Sequence, residues 1–189
     1  QALDNGASTR YTPVDQPEVE IFLDVILPAP TLVMVGGVHI AIALTAIAKA
    51  VGYRTIVVDP RRAFGSDERF SHADRLIQAW PDEAFQDIHL NDATAVAMLT
   101  HDPKIDDPAL KRVLPQPVFY IGALGSSRTH AKRRKRLLEA GVPEAMVNRI
   151  PSPIGLDIEA RTPEEIAVAV MAEVIAARRK PAAKELQAA

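Results

Sequence analysis

Four short apolar runs, each closed by glycine or by small polar residues, restrict this chain more than any other feature. They are Thr31–Val35 before Gly36-Gly37, Thr55–Val58 before Asp59-Pro60, Thr94–Leu99 before Thr100-His101-Asp102, and Val118–Ile121 before Gly122. None alternates with polar residues, so each reads as a strand covered on both faces. Helical segments separate them. Ile40–Val51 carries Ala, Ile and Leu nearly all round, as a helix packed on a sheet does, and Gly52 fits its C-terminal cap. Asp107-Pro108 predicts a helix start, with Asp as N-cap and Pro at N1. A helix of about 12 residues is expected from Ser127. Thr162-Pro163-Glu164-Glu165 has the form of a capping box opening a last helix that runs to about Arg179. Val19–Leu27 and, more weakly, Asp74–Gln78 read as further strands.

Strands of this kind alternating with helices predict an α/β fold: a Rossmann-like, doubly wound, mostly parallel sheet with helices on both faces. The expected domain runs over residues 19–180. Residues 1–18, polar and carrying Pro13 and Pro17, read as a tail or linker, and the Ala-rich 181–189 as a frayed tail. A chain of 189 residues can bury roughly 70% of its unfolded surface in one such domain.

Composition removes several function classes. The net charge is −2, which argues against a nucleic-acid binder, so the basic run at 128–136 is a local feature. There is no cysteine, which excludes disulfides, thiolate metal sites and a sulfur relay within this chain. No apolar run reaches membrane-spanning length, and a cytoplasmic location is the expectation.

Ligands of doubly wound sheets bind outside the carboxyl ends of the strands. The polar residues that close the four runs gather there. Gly36 and Gly37 stand where a dinucleotide fingerprint would, but Val38 takes the place of its middle glycine. His39 enters the following helix, where the helix dipole acts on an imidazole. Asp59 lies 23 positions beyond Gly36, suiting a ribose hydroxyl pair or, equally, a turn before Pro60. Arg61, Arg62 and Arg69 are interleaved with Phe64 and Phe70, either reaching a phosphate or forming an exposed loop. Thr100, His101 and Asp102 offer a His–Asp pair for acid/base work or a metal contact. Gly122, Leu124, Gly125 and Ser126, followed by Arg128 and Lys132, form a strand, glycine turn and helix start that presents N–H groups and cations to an anion. The competing reading of the basic run is a solvated helix face. No Walker loop and no Gly-x-Ser-x-Gly elbow is present.

Taken together, VMVGGVHIAIAL, VVDPRRAFGSDERFSHAD, TAVAMLTHDPKIDDPAL, FYIGALGSSRTHAKRRKRL and RIPSPIGLDIEARTPEEIAVAVMAEVIAARR resemble the C-terminal Rossmann domain of the XdhC/CoxI family, the xanthine dehydrogenase accessory proteins. The resemblance implies binding of the molybdenum cofactor, as molybdopterin or its dinucleotide, and its insertion into a xanthine dehydrogenase-type apoenzyme. It also implies a cysteine desulfurase as partner and a separate N-terminal domain of the same family; a homodimer is a further possibility. Two other readings stand beside this one. In a nicotinamide-dependent oxidoreductase, Asp59 would hold the ribose of NAD(P) and His101 would act as acid or base. In a purely structural partner domain the pocket would be idle.

Overall fold

The computed structural model describes residues 8–179. Residues 8–29 and 30–179 belong to different compact units. The first is a hairpin, β1 (Thr9–Tyr11) antiparallel to β2 (Ile21–Leu23), and all six strand residues are exposed. This corrects two expectations. The supposed tail contains a strand, and the strand expected over Val19–Leu27 is three residues long and outside the main sheet. Pairing sets its length: Tyr11 stands opposite Ile21 and Thr9 opposite Leu23. The Ser8 hydroxyl, donating to Asp24 and accepting from the Val25 N–H, closes the open end. The α/β unit therefore starts at Pro30, not at residue 19, and the expected frayed tail at 181–189 lies outside the described residues.

The second unit carries a five-stranded parallel sheet of β3 (Thr31–Val35), β4 (Arg54–Val58), β5 (Arg75–Ile77), β6 (Thr94–Met98) and β7 (Tyr120–Ala123). Their order is β5-β4-β3-β6-β7. Its helices are α1 (His39–Ala50), α2 (Asp67–Phe70), α3 (Pro81–Ala84), α4 (Pro103–Val113), α5 (Ser127–Glu139), α6 (Glu144–Val147) and α7 (Pro163–Arg179). Successive β3 side chains divide two cores. Leu32 and Met34 pack with Leu44 and Ala48 of α1 and Val170 and Val174 of α7. Val33 and Val35 pack with Ile105 and Leu110 of α4 and Leu137 of α5. The sheet is thus covered on both faces, as the unbroken apolar runs require. The chain winds outward from β3 to β5, then returns to β6 beside β3, so the topological switch point lies between β3 and β6.

Local signals set several element ends. Gly52, at φ 84°, follows α1, and its N–H reaches Lys49 O while that of Tyr53 reaches Ala48 O. The Thr162 hydroxyl accepts from the Glu165 N–H, and the Glu165 carboxylate accepts from the Thr162 N–H, completing the capping box. Two boundaries are corrected. Helix α4 begins at Pro103, not at Asp107-Pro108, because Asp102 caps it by accepting from the Lys104 N–H at 2.9 Å; Pro108 lies inside it. Strand β7 spans Tyr120–Ala123, so Gly122 is a strand residue and the turn begins at Leu124.

Register lines up one rim. Val35 stands beside Val58 and Met98, Val58 beside Ile77, and Met98 beside Ala123. The loops that begin at Gly36, Asp59, Leu99 and Leu124 therefore leave the sheet along a single line.

Candidate functional site

Gly36 adopts φ 113° and donates its N–H to Val58 O at 2.8 Å. A Cβ there would come to 2.5 Å from Thr100 Cγ2, so the β3 and β6 loops touch across the switch point. Gly37 is hemmed in differently. Its N–H donates to Asp59 Oδ2 at 2.7 Å, and a Cβ would meet Phe64 O at 2.5 Å. Val38 occupies the N-cap of α1 without a side-chain cap, and His39 opens the helix with an exposed ring.

Asp59 is fully buried and saturated. Beyond Gly37 it accepts from the Arg61 N–H, from Arg61 Nε at 2.9 Å and from Arg61 Nη2 at 2.7 Å. Burial alone would raise its pKa, but the Arg61 guanidinium and the two backbone donors outweigh it and hold the carboxyl below its ordinary value. The guanidinium lies 4.2 Å from the centre of the Phe64 ring, and that of Arg69 lies 5.9 Å from the same ring. Arg69 keeps its Nε and Nη2 buried without an acceptor among the described residues. Segment 61–65 thus rests on the glycine turn, and the backbone approach that a dinucleotide pyrophosphate needs is filled by the protein itself.

At the end of β6 the roles divide. Thr100 is buried and donates its hydroxyl to the buried Asp106. The same hydroxyl oxygen accepts the Asp102 N–H at 3.2 Å. Asp102 spends its carboxylate on capping α4. His101 is exposed and makes no side-chain hydrogen bond among the described residues, so the expected His101–Asp102 pair does not form.

At the end of β7, Gly125 adopts φ 140° and Ser126 caps α5, its hydroxyl accepting from the Thr129 N–H. The N–H groups of Ser127 and Arg128 have no acceptor among the described residues. Arg128 and Lys132 are exposed and lack acidic partners there. Gly122 serves a different purpose. A Cβ on it would strike the Tyr120 hydroxyl and come to 2.7 Å from Ile154, so it is a packing residue rather than part of an anion cradle.

Half of the six cations in the basic run are engaged by the protein itself through side-chain hydrogen bonds. Arg136 makes a two-point contact with Asp107, at 2.6 and 3.0 Å. Arg134 pairs with Glu144 and Asn148. Arg133 is 1% exposed; its Nη2 donates to Leu124 O at 2.8 Å and to Asp106 Oδ2 at 3.2 Å. The chain of contacts from Leu124 through Arg133, Asp106 and Thr100 to Asp102 ties the β7 and β6 loops together. Nε and Nη1 of Arg133 remain buried without acceptors among the described residues. Burial pushes the Asp106 carboxyl up, opposed by Thr100 and Arg133. Neither Arg133 nor Asp106 stands out in the sequence as a site residue. The available signal was spacing, since Arg133 and Leu137 lie four apart on one face of α5 and both are buried.

The rim therefore gathers Gly36, Gly37, Asp59 and Arg61 into one closed cluster, and Thr100, Asp106, Arg133 and Leu124 into a second. It leaves the α5 N-terminus, with Arg128 and Lys132, as an open, cationic part. Residues 32–174 match the XdhC Rossmann domain family.

The chain belongs to that family.

Relatives of this XdhC-type chain agree. It is 34% identical over 182 residues to a Bacillus subtilis (strain 168) protein named as a probable xanthine dehydrogenase subunit, covering 96% of this chain and 53% of that one. It is 39% identical over 85 residues to the molybdenum cofactor insertion chaperone PaoD of Escherichia coli (strain K12), covering 45% of this chain and 27% of PaoD. A crystal structure of a xanthine dehydrogenase from Bacillus halodurans superposes with a TM-score of 0.76 at 28% identity, over 92% of this chain and 49% of that one. This XdhC-type chain spans about half the length of the Bacillus proteins.

Proposed function

We propose that this chain is the Rossmann part of an accessory protein that carries the molybdenum cofactor to a xanthine dehydrogenase-type apoenzyme. Membership of the XdhC Rossmann family over residues 32–174 carries the reading. The α5 N-terminus supplies a chemical fit for the anionic end of the pterin. Among the described residues, the N–H groups of Ser127 and Arg128 lack acceptors, and the cations of Arg128 and Lys132 lack acidic partners. The glycine turn does not fit a pyrophosphate, because Phe64 and Asp59 already occupy it. When bound, the cofactor would supply the molybdenum chemistry of the client enzyme. This chain's residues would hold its phosphate and keep the rim loops in register.

A cysteine desulfurase, a separate N-terminal domain of the family and a second copy of the chain are proposed as further partners. The saturated Asp59 weighs against the NAD(P) reading, since its carboxylate has no free oxygen lone pair aimed at a ribose. The test is binding of isolated molybdopterin to the wild-type chain and to the double variant Arg128→Ala/Lys132→Ala. At least a tenfold loss of affinity in the variant is expected. Unchanged affinity removes the α5 N-terminus as the site; no binding by either protein removes the function itself.

A further inference from the structure

A cavity lies away from the rim, beside the start of β7. Its volume is about 290 Å³, and Phe119, Tyr120, Arg149, Leu156 and Glu173 contribute to its walls. One wall is the segment around Pro153–Asp157, which the rim does not use. Gly155 in it adopts φ 93° and presses on α7, where a Cβ would lie 3.0 Å from the backbone of Ala169 and Val170. The Leu156 N–H donates to Ala169 O at 3.1 Å, stitching the segment to that helix.

Two opposite charges face this space without meeting. Glu173 accepts both the Tyr120 hydroxyl and the Gly155 N–H, and both on Oε2. Its Oε1 has no partner among the described residues. No cation stands within 4.0 Å of the Glu173 carboxylate there. Arg149, which also lines the cavity, donates from Nη1 to the carbonyls of Leu114 and Gln116 and from Nη2 to that of Val118. Those acceptors are neutral carbonyls, and the Nε–H and one Nη2 hydrogen remain for an anionic group. Phe119 and Leu156, the latter 45% exposed, supply apolar surface to the same cavity.

A charged pair held apart by a small cavity suits a ligand that carries both signs. Ligand cavities commonly measure about 300–1,000 Å³. This one stands at the lower limit, of the right order for a single amino acid. We propose that the cavity binds an α-amino acid as its zwitterion, with the carboxylate on Arg149, the ammonium on Glu173 Oε1 and a neutral side chain against Phe119 and Leu156.

The experiment is calorimetric titration of the full chain with L-leucine, then with 4-methylpentanoate and isoamylamine, which each keep one of its charges. Leucine is expected to bind, and each analogue at least tenfold more weakly. Glu173→Gln keeps a hydrogen-bonding group for Gly155 and Tyr120 but removes the charge, and is expected to weaken leucine at least tenfold. Leu156→Trp fills the cavity from an exposed position and is expected to abolish binding even if Glu173→Gln misfolds. The proposal is overturned if leucine does not bind, if 4-methylpentanoate or isoamylamine binds as well as leucine, or if Leu156→Trp leaves the affinity unchanged. Molybdopterin binding plays no part in these readouts, so the accessory function and this site stand or fall separately.

Discussion

The Asp59 carboxylate accepts the Gly37 N–H at 2.7 Å while gripping the Arg61 guanidinium through both oxygens. One buried side chain thus locks the β4 loop onto the glycine turn of β3. Removing its charge leaves a half-exposed Arg61 and a buried N–H without their acceptor. We expect Asp59→Ala to cost about 2–3 kcal/mol, read as a shift in the urea midpoint. The same saturation predicts no measurable NAD or NADP binding by titration; micromolar binding that Asp59→Ala abolishes would reverse the reading of the rim.

Asp74 governs a pH dependence. Its carboxylate takes Lys49 Nζ at 2.8 Å and the Thr55 N–H at 2.8 Å, pinning β4 where β5 begins. Lys49 first, then the Thr55 N–H, lower its pKa to about 2. A depressed carboxylate stabilises the fold above its unfolded value and loses that contribution as pH falls through the folded value. Thermal melts of the wild type should therefore lose stability relative to Asp74→Asn between pH about 4 and about 2. The side chain is 36% exposed, so the difference at neutral pH should stay near or below about 1 kcal/mol. A pH-independent difference would show that the ion pair does not carry it.

Gly122 separates packing from binding. Alanine there collides with the Tyr120 hydroxyl and with Ile154. Gly122→Ala should lower stability by about 1–3 kcal/mol in chemical denaturation. Molybdopterin affinity of the folded fraction should not change. Selective loss of affinity at unchanged stability would restore this glycine to the anion site.

Arg133 should prove the most sensitive cation in α5. Arg133→Met strands buried Asp106, whose carboxyl burial already pushes upward, and should cost about 3–5 kcal/mol. Arg128→Ala, an exposed change, should stay within about 0.5 kcal/mol in the same denaturation assay. Equal effects would mean that the Leu124–Arg133–Asp106 contacts do not hold the rim.

Much of the architecture was legible because it rests on short-range chemistry. Unbroken apolar runs at Thr31–Val35 and Thr94–Leu99, short and closed by glycine or small polar residues, read as strands covered twice, and β3 and β6 are interior strands of the sheet. Gly52 and Thr162 ended and began helices as their backbone preferences dictate. The start of α4 was misplaced because Asp102-Pro103 and Asp107-Pro108 carry the same cap signal, and the sequence does not say which aspartate has its carboxylate free. Asp107 is spent on Arg136 from another helix.

The sequence by itself determined the main strands of the parallel sheet, the longer helices and the rim at which their loops would emerge, because periodicity and capping act over a few residues. Tertiary structure alone decided which polar groups at that rim are still available. Arg133 and Lys132 are neighbours in the chain, yet one is sealed against Asp106 and the other is exposed. A helical rotation of about 100° per residue puts the two cations on different faces of α5, and the packing of that helix against Asp106 and Leu124 decides which face is sealed.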